Sequence, residues 1–256
     1  MTVDVTFLGT GTSHGVPVIG CSCPVCTSSD PRDQRYRSSI LIQTEGRDIL
    51  VDTGPEFRLQ AIRAGIKRLD AVLYTHDHAD HLHGIDDLRV FTHVATLPVY
   101  GNRRLVDCIA DRFGYVLGRC EFAGGLPHVE THLFEGSEPM DIAGVEVQPV
   151  PIRHGDLTIN GYRIGPFAYL TDCSGIPEAS WGLLEDLDIL VIGALRRAPH
   201  PTHFSIGQAV EAALRVGARQ TYLTHLSHDE LHGTLEASLP DSVHVAYDTL
   251  HVRAIG

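Results

Sequence analysis

The sequence predicts an α/β fold. Short apolar β-type runs recur along the whole chain, and helical patterns fall between several of them, an alternation that argues for layered α/β architecture. Size agrees: 256 residues, 43% of them hydrophobic, can bury a sizeable core. No internal repeat, low-complexity tract or linker interrupts the pattern, so one domain over residues 1–256 is expected.

The elements follow in order. Residues 3–8 alternate and end in Gly9-Thr10-Gly11-Thr12-Ser13, a first strand entering a tight turn. Residues 21–37 are polar and carry Pro24 and Pro31, which predicts a loop. Residues 39–43 and 49–51 predict a hairpin pair about Glu45-Gly46, and Asp52-Thr53-Gly54 follows its second strand. Residues 57–64 predict a helix stopped by Gly65. Residues 71–74 form a short apolar strand leading at once to His76. Within 98–125 a helical excursion is centred on 107–117. Residues 145–150, 167–170, 189–192 and 222–223 predict further short strands. The best helical pattern is 205–215, where Ser205 and Gln208 have capping-box spacing and Ile206, Val210, Ala213 and Leu214 share a face.

Composition excludes some functions. A formal net charge of −12 makes the chain a poor general binder of polyanions, and no strong case for nucleic acid follows. No apolar stretch approaches the roughly 20 residues of a membrane span, and the first residues lack a charged leader and an apolar core, so neither a membrane partner nor a signal peptide is expected. Of the six cysteines, Cys21, Cys23 and Cys26 crowd together while Cys108, Cys120 and Cys173 are scattered. That suits a metal site in a reducing cytoplasm better than a disulfide framework. A homodimer is left open.

Histidine is the unusual component, with 16 residues. His93, His128, His132, His244 and His251 read as ordinary surface or core imidazoles. His76-Asp77-His78-Ala79-Asp80-His81 does not: four potential ligands, His76, His78, Asp80 and His81, fall within six positions, directly after an apolar strand. At His-x-His spacing two imidazoles can face one ion, and Asp80 and His81 can face a second. Imidazole and carboxylate suit Zn, Mn or Fe. His154, Asp172 and His225 each lie just past an apolar run, where a sheet presents its strand ends in a common cleft. Any one alone would read as a loop residue.

The order His-x-His-x-Asp-His, a distant His, a distant Asp and a C-terminal His resembles the ligand order of the metallo-β-lactamase superfamily over nearly the whole chain. The resemblance implies an αββα sandwich with two divalent metal ions at one edge. By position, His76, His78 and His154 would bind the first ion, Asp80, His81 and His225 the second, and Asp172 would bridge them. The family's Asp-x-Gly stretch matches Asp52-Thr53-Gly54, where Asp52 would orient the ligand loop. Two cations a few ångströms apart lower the pKa of a shared water and polarise a phosphoryl oxygen, so hydroxide attack on phosphorus at neutral pH is expected.

Three cysteines in one turn call for a fourth ligand to close a tetrahedral structural Zn site, and His228, three residues after His225, is the choice. Free thiols or a Cys21–Cys26 disulfide are the plainer alternatives. Gly-Thr-Gly-Thr-Ser-His-Gly-Val-Pro before Cys-x-Cys-x-x-Cys, with Thr-His-Leu-Ser-His near the end, resembles the phosphoribosyl 1,2-cyclic phosphate phosphodiesterases of phosphonate catabolism. That implies a small cyclic phosphodiester as substrate and a leaving-group histidine between the bridging Asp and the last ligand. His203 fits, with His200 its competitor; Asp80 is the second residue expected to be catalytic. Arg89 is a candidate phosphate clamp, because a guanidinium matches phosphate oxygens; a helix-surface arginine is the plainer reading.

The competing enzyme readings are a transfer-RNA 3′-end processing nuclease, disfavoured by the acidic balance, and a lactonase or thioesterase, because the metal motif does not separate phosphate from carbonyl substrates. The non-enzyme reading, a metal-binding scaffold or sensor, would be favoured by a missing ligand, and the motif is complete.

Overall fold

The computed structural model describes residues 1–93, 95–118, 125–134 and 136–256. Cys120 and part of the stretch 98–125 read as a helical excursion lie outside the described residues. Among the described residues fourteen strands form two seven-stranded sheets. The first contains β1 (Thr2–Gly9), β2 (Ser39–Thr44), β3 (Arg47–Val51), β4 (Ala71–Leu73), β5 (Leu97–Gly101), β6 (Val129–Leu133) and β14 (His251–Ile255), in the order β14-β1-β2-β3-β4-β5-β6. The second contains β7 (Met140–Ile142), β8 (Val145–His154), β9 (Leu157–Ile164), β10 (Phe167–Leu170), β11 (Ile189–Gly193), β12 (Gln220–Thr224) and β13 (Val243–Val245), in the order β7-β8-β9-β10-β11-β12-β13.

Each sheet begins with three antiparallel pairings and ends with three parallel ones. The parallel parts need crossovers, which the helices supply. Helices α1 (Phe57–Ala64), α2 (Ala79–Leu82) and α3 (Arg103–Arg112) belong to the first sheet's half; α4 (Glu178–Trp181), α5 (Ile206–Val216) and α6 (His232–Glu236) belong to the second's. Three buried clusters result. One lies between the sheets, built on Phe7, Ile40, Ile42, Val51, Tyr162 and Tyr169. The other two pack helices on the outer faces, around Phe57, Tyr74, Leu82 and Ile109 and around Ile152, Leu170, Ile192 and Ala209. This is the αββα sandwich expected.

Local chemistry explains the best-read elements. Glu45 and Gly46 both take positive φ, 48° and 73°, as a tight hairpin turn between right-twisted strands requires. Gly65 ends α1 in the left-handed region, and Ser205 and Gln208 close a reciprocal capping box on α5. β8 runs to His154, past the expected end at Val150. Pro149 and Pro151 lack an N–H, but β7 pairs only as far as Val147, so they sit on an edge where a donor is not required. No helix among the described residues is long and apolar enough to cross a membrane.

Candidate metal centre

The ligand-type side chains leave strand ends on one edge of the sandwich. His76, His78, Asp80 and His81 follow β4, His154 closes β8, Asp172 follows β10 and His225 follows β12. Two groups form, His76–His78–His154–Asp172 and Asp80–His81–Asp172–His225, with the ligand atoms of each within 4.8 Å of one another. Asp172 belongs to both. Its Oδ2 lies 3.8 Å from His76 Nε2 and 3.9 Å from His154 Nε2. Its Oδ1 lies 3.2 Å from His81 Nε2 and 3.1 Å from His225 Nε2. One carboxylate thus turns one oxygen to each group. Two atoms each about 2.1 Å from one ion are at most about 4.2 Å apart, so all four distances fit shared coordination.

The donor chemistry fits as well. His154 Nδ1 meets the Thr202 carbonyl at 2.7 Å, and a carbonyl only accepts, so Nδ1 carries the proton and Nε2 presents a lone pair to the cleft. His81 Nδ1 meets Asp52 Oδ2 at 2.7 Å with the same consequence. Thr75 Oγ1 donates to Asp52 and receives the His76 Nδ1 proton at 3.0 Å. The Nε2 atoms of His76, His81 and His225 are buried without a hydrogen-bond partner. Buried orphans of this kind call for a ligand.

Charge points the same way. Burial and the neighbouring His81 ring push His76 well below the ordinary imidazole range, which keeps it neutral. Burial opposes charge on His81, yet the carboxylates of Asp172, Asp80 and Asp52 outweigh it and raise its pKa well above normal. Burial also opposes charge on Asp172, but His225 and His81 hold its carboxyl far below the usual carboxylate range. A site whose carboxylates retain a proton on a buried imidazole is one that demands cationic charge, and a divalent ion meets that demand by displacing the proton.

The backbone is strained here. Asp52, Asp172 and His225 adopt φ of 62°, 54° and 59°, the left-handed region that non-glycine residues seldom occupy. The Asp-x-Gly glycine has a steric reason: a Cβ on Gly54 would sit 2.5 Å from the Asp80 carbonyl oxygen. Without it Thr53 N could not reach the His81 carbonyl at 2.7 Å, the bond that docks Asp52 under the ligand helix. Asp52→Ala should therefore lower metal affinity and turnover by roughly 10–100-fold while leaving the ligand set complete, as loss of an outer partner does elsewhere. Metal titration followed by assay at saturating metal checks this.

The cysteine loop reaches the same edge. The Sγ atoms of Cys21, Cys23 and Cys26 lie 3.5, 3.4 and 3.4 Å from His228 Nδ1. An S···N edge of about 3.5 Å is what a tetrahedron with Zn–S of about 2.3 Å and Zn–N of about 2.0 Å requires. Hydrogen bonding from the Cys26 N–H, then from His228, lowers the Cys23 thiol to about 6, whereas burial pushes Cys26 up to about 11. Cys23→Ser should remove one Zn and lower Tm by about 5–10 °C, the linkage expected when a tightly held ligand is lost from a chain of this size. Activity per folded molecule should stay substantial; calorimetry with metal analysis checks both, and a stable but inactive variant would move the loop into the catalytic site.

His203 stands beside the paired groups. Its Nδ1 is 4.0 Å from Asp172 Oδ2, and its ring stacks on His225 with centroids 4.8 Å apart. Burial, then the His225 imidazole, pushes it down to about 3. It is held from both flanks: Thr202 accepts from His154, and Phe204 N donates to the Cys173 carbonyl. His200 is more exposed, with its ring 5.1 Å from that of His203. The structure does not bring Arg89 to this cluster. It pairs with Asp86 one turn away and lines a groove with Phe57, Ile62 and Phe91 of which no ligand-type histidine is part. The Thr75 hydroxyl and the Thr202 carbonyl escaped sequence reasoning, since nothing in a threonine's local pattern reports that it supports a ligand from another strand.

Residues 47–226 match the family model described as a beta-lactamase superfamily domain. The chain is 42% identical to an octanoyltransferase of Porphyromonas gingivalis over 95% of its own length, and it spans about half (50%) of that protein. It is 28% identical to a ribonuclease Z of Mycobacterium bovis, covering 87% of this chain and 85% of that one. A solved structure described as a new diphosphatase from the PhnP family superposes with a TM-score of 0.92 at 43% identity, covering 99% of this chain and 97% of the other.

Proposed function

Because the chain belongs to the metallo-β-lactamase superfamily, and within it resembles the PhnP family over its whole length, we propose that this metal-dependent hydrolase is a phosphodiesterase acting on a small cyclic phosphate diester such as phosphoribosyl 1,2-cyclic phosphate. The observation that carries the reading is the Asp172 carboxylate, one oxygen turned to each ligand group, with the His203 ring beside it.

Bound divalent ions, Zn, Mn or Fe, would supply Lewis acidity and a water with a pKa near neutrality. His76, His78 and His154 would hold one ion, Asp80, His81 and His225 the other, and Asp172 both. The chain does the rest. Asp80 and Asp172 would offset only part of the charge of two divalent ions, so an anionic diester would still be attracted to the cleft. Asp52, Thr75 and the Thr202 carbonyl fix the ring tautomers. His203, outside both ligand groups, is free to hold a proton for the leaving oxygen, and an adjacent anionic diester favours its charged form. Cys21, Cys23, Cys26 and His228 would hold a structural Zn that ties residues 21–26 to the loop bearing His225.

A phosphoanhydride is the second reading, favoured by the diphosphatase described above. Both reactions transfer a phosphoryl group to water and differ in the leaving group. The test is the purified chain, loaded with Mn or Zn, on a panel of cyclic phosphates, bis(p-nitrophenyl) phosphate, diphosphate compounds, monoesters, lactones and thioesters. Diesters should turn over and monoesters should not. Preference for diphosphates would select the second reading, and turnover of carboxylic esters alone would reject both.

A further inference from the structure

One short loop supplies a histidine to each of the two centres. After β12, His225 faces the cleft and His228 faces the cysteines, and α6 begins at His232. His225 lacks the help its counterparts have. The Nδ1 atoms of His76, His81 and His154 each meet a partner, whereas His225 Nδ1 is buried with none among the described residues. Its placement therefore falls to the backbone, which holds φ 59° at this residue. The next residue is gripped on both sides. Leu226 N donates to the Thr10 carbonyl at 2.9 Å, and the Leu226 carbonyl accepts from Thr12 N at 3.1 Å. Residues 10–12 thus set where His225 stands.

A buried cation pins that segment. Arg35 is 4% exposed, and its Nη1 donates to Thr10 Oγ1 at 2.8 Å and to the Ala246 carbonyl at 2.6 Å. Thr10 Oγ1 donates onward to Asp248 Oδ1 at 2.8 Å, and Asp248 Oδ2 takes the Tyr36 N–H at 2.8 Å. Gly11 lets the two chains approach, since a Cβ on it would sit 2.9 Å from Arg35 Cβ. Arg35 also reaches the far end of the histidine loop. Its Nη2 faces His232 Nδ1 at 3.4 Å, and His232 N donates to Asp33 Oδ1 at 2.7 Å. The Arg35 backbone pairs in both directions with Val16 at 2.8 Å, on the lead into the cysteine loop. An apolar side chain would fill this space without the desolvation cost of a guanidinium. It could not donate to Thr10, Ala246 and His232 at once.

We propose that Arg35, acting through Thr10, is a positioning residue for the second cleft ion: it holds the 225–232 segment so that His225 faces Asp80, His81 and Asp172 while His228 faces the three cysteines. The proposal rests on the dinuclear reading of the cleft. Arg35 touches neither ion nor substrate, and its effect is on where a ligand from another segment is held.

Thr10→Val tests it on the full chain with Zn at the cysteine loop. The change is nearly isosteric and removes only the hydroxyl between Arg35 and Asp248, so folding should survive. Calorimetric titration of the cleft with Mn should show one of two binding steps weakened roughly tenfold, the size that loss of an outer partner has elsewhere, and the other step unchanged. Thr10→Ser keeps the hydroxyl and should restore the parent affinity. Arg35→Lys keeps the charge but not the planar fork, and should give the same selective loss as Thr10→Val. Hydrogen exchange over residues 222–232, which needs neither Mn nor turnover, should quicken in Thr10→Val and Arg35→Lys and not in Thr10→Ser. Equal weakening of both steps would mark general loosening and overturn the proposal, as would unchanged affinity with unchanged exchange. If the parent binds fewer than two ions in the cleft, the dinuclear reading falls, and the exchange comparison still decides whether Arg35 holds the segment.

Discussion

Asp172→Asn should fold, lose metal from the cleft, and retain less than about one part in 10³ of its turnover. Folding should survive because Asn is nearly isosteric with Asp and tolerates the left-handed backbone that residue 172 adopts, φ 54°. The loss should be large because Asp172 is the one side chain common to both ligand groups. Removing a partner outside the coordination sphere typically costs roughly 10–100-fold. Removing a charged ligand shared by two ions must cost more, since each loses a donor and the cleft loses a negative charge that offsets theirs. The measurement is elemental analysis after loading, set beside single-turnover assays. The parent should hold up to three metals per chain, two in the cleft and one at the cysteine loop. The variant should keep the cysteine-loop Zn and hold at most one cleft ion. A variant that retains two cleft metals and near-normal turnover would reject the bridging arrangement and with it the dinuclear mechanism.

The seven cleft residues were legible because coordination chemistry restricts residue type and because sheets deliver strand ends to one edge. His76 to His81 announce themselves by density alone. His154, Asp172 and His225 needed the added observation that each follows an apolar run. The support for these ligands was not legible. Asp52 was expected to steady the ligand loop, but its two-oxygen grip on Thr75 and His81 depends on a positive φ that no pattern of residue types reveals. The Thr202 carbonyl is backbone, and any residue could supply it. Arg89, read as a candidate phosphate clamp, pairs instead with Asp86 for a related reason. Its spacing from Asp86 favours an in-helix pair, and the turn it occupies faces α1 and not the cleft. Of the strands, β5, β6, β7, β9, β13 and β14 went unread, β5 because residues 98–125 were read as a helical excursion and β9 because Gly155-Asp156 is a very short turn and β8 looked finished at its prolines.

His203→Ala should keep both cleft metals yet lose roughly 10²–10⁴-fold in turnover of diesters with alkoxide-like leaving groups, the usual contribution of a positioned acid. Metal retention follows from its place: its nearest carboxylate contact, Asp172 Oδ2, is 4.0 Å away, and it completes neither ligand group. The size of the loss should depend on the leaving group. A ribosyl oxygen departs as a strongly basic alkoxide unless it is protonated, so its rate should carry the full penalty. p-Nitrophenolate is a weak base and leaves with little help, so bis(p-nitrophenyl) phosphate should lose much less. The two substrates are to be compared in one variant preparation whose metal content has been measured. An equal loss on both would assign His203 to binding or orientation, because such roles do not sense leaving-group basicity. Loss of metal would make it a ligand. Unaltered turnover of the alkoxide substrate would pass the role to His200, whose ring lies 5.1 Å from that of His203 and nearer to solvent.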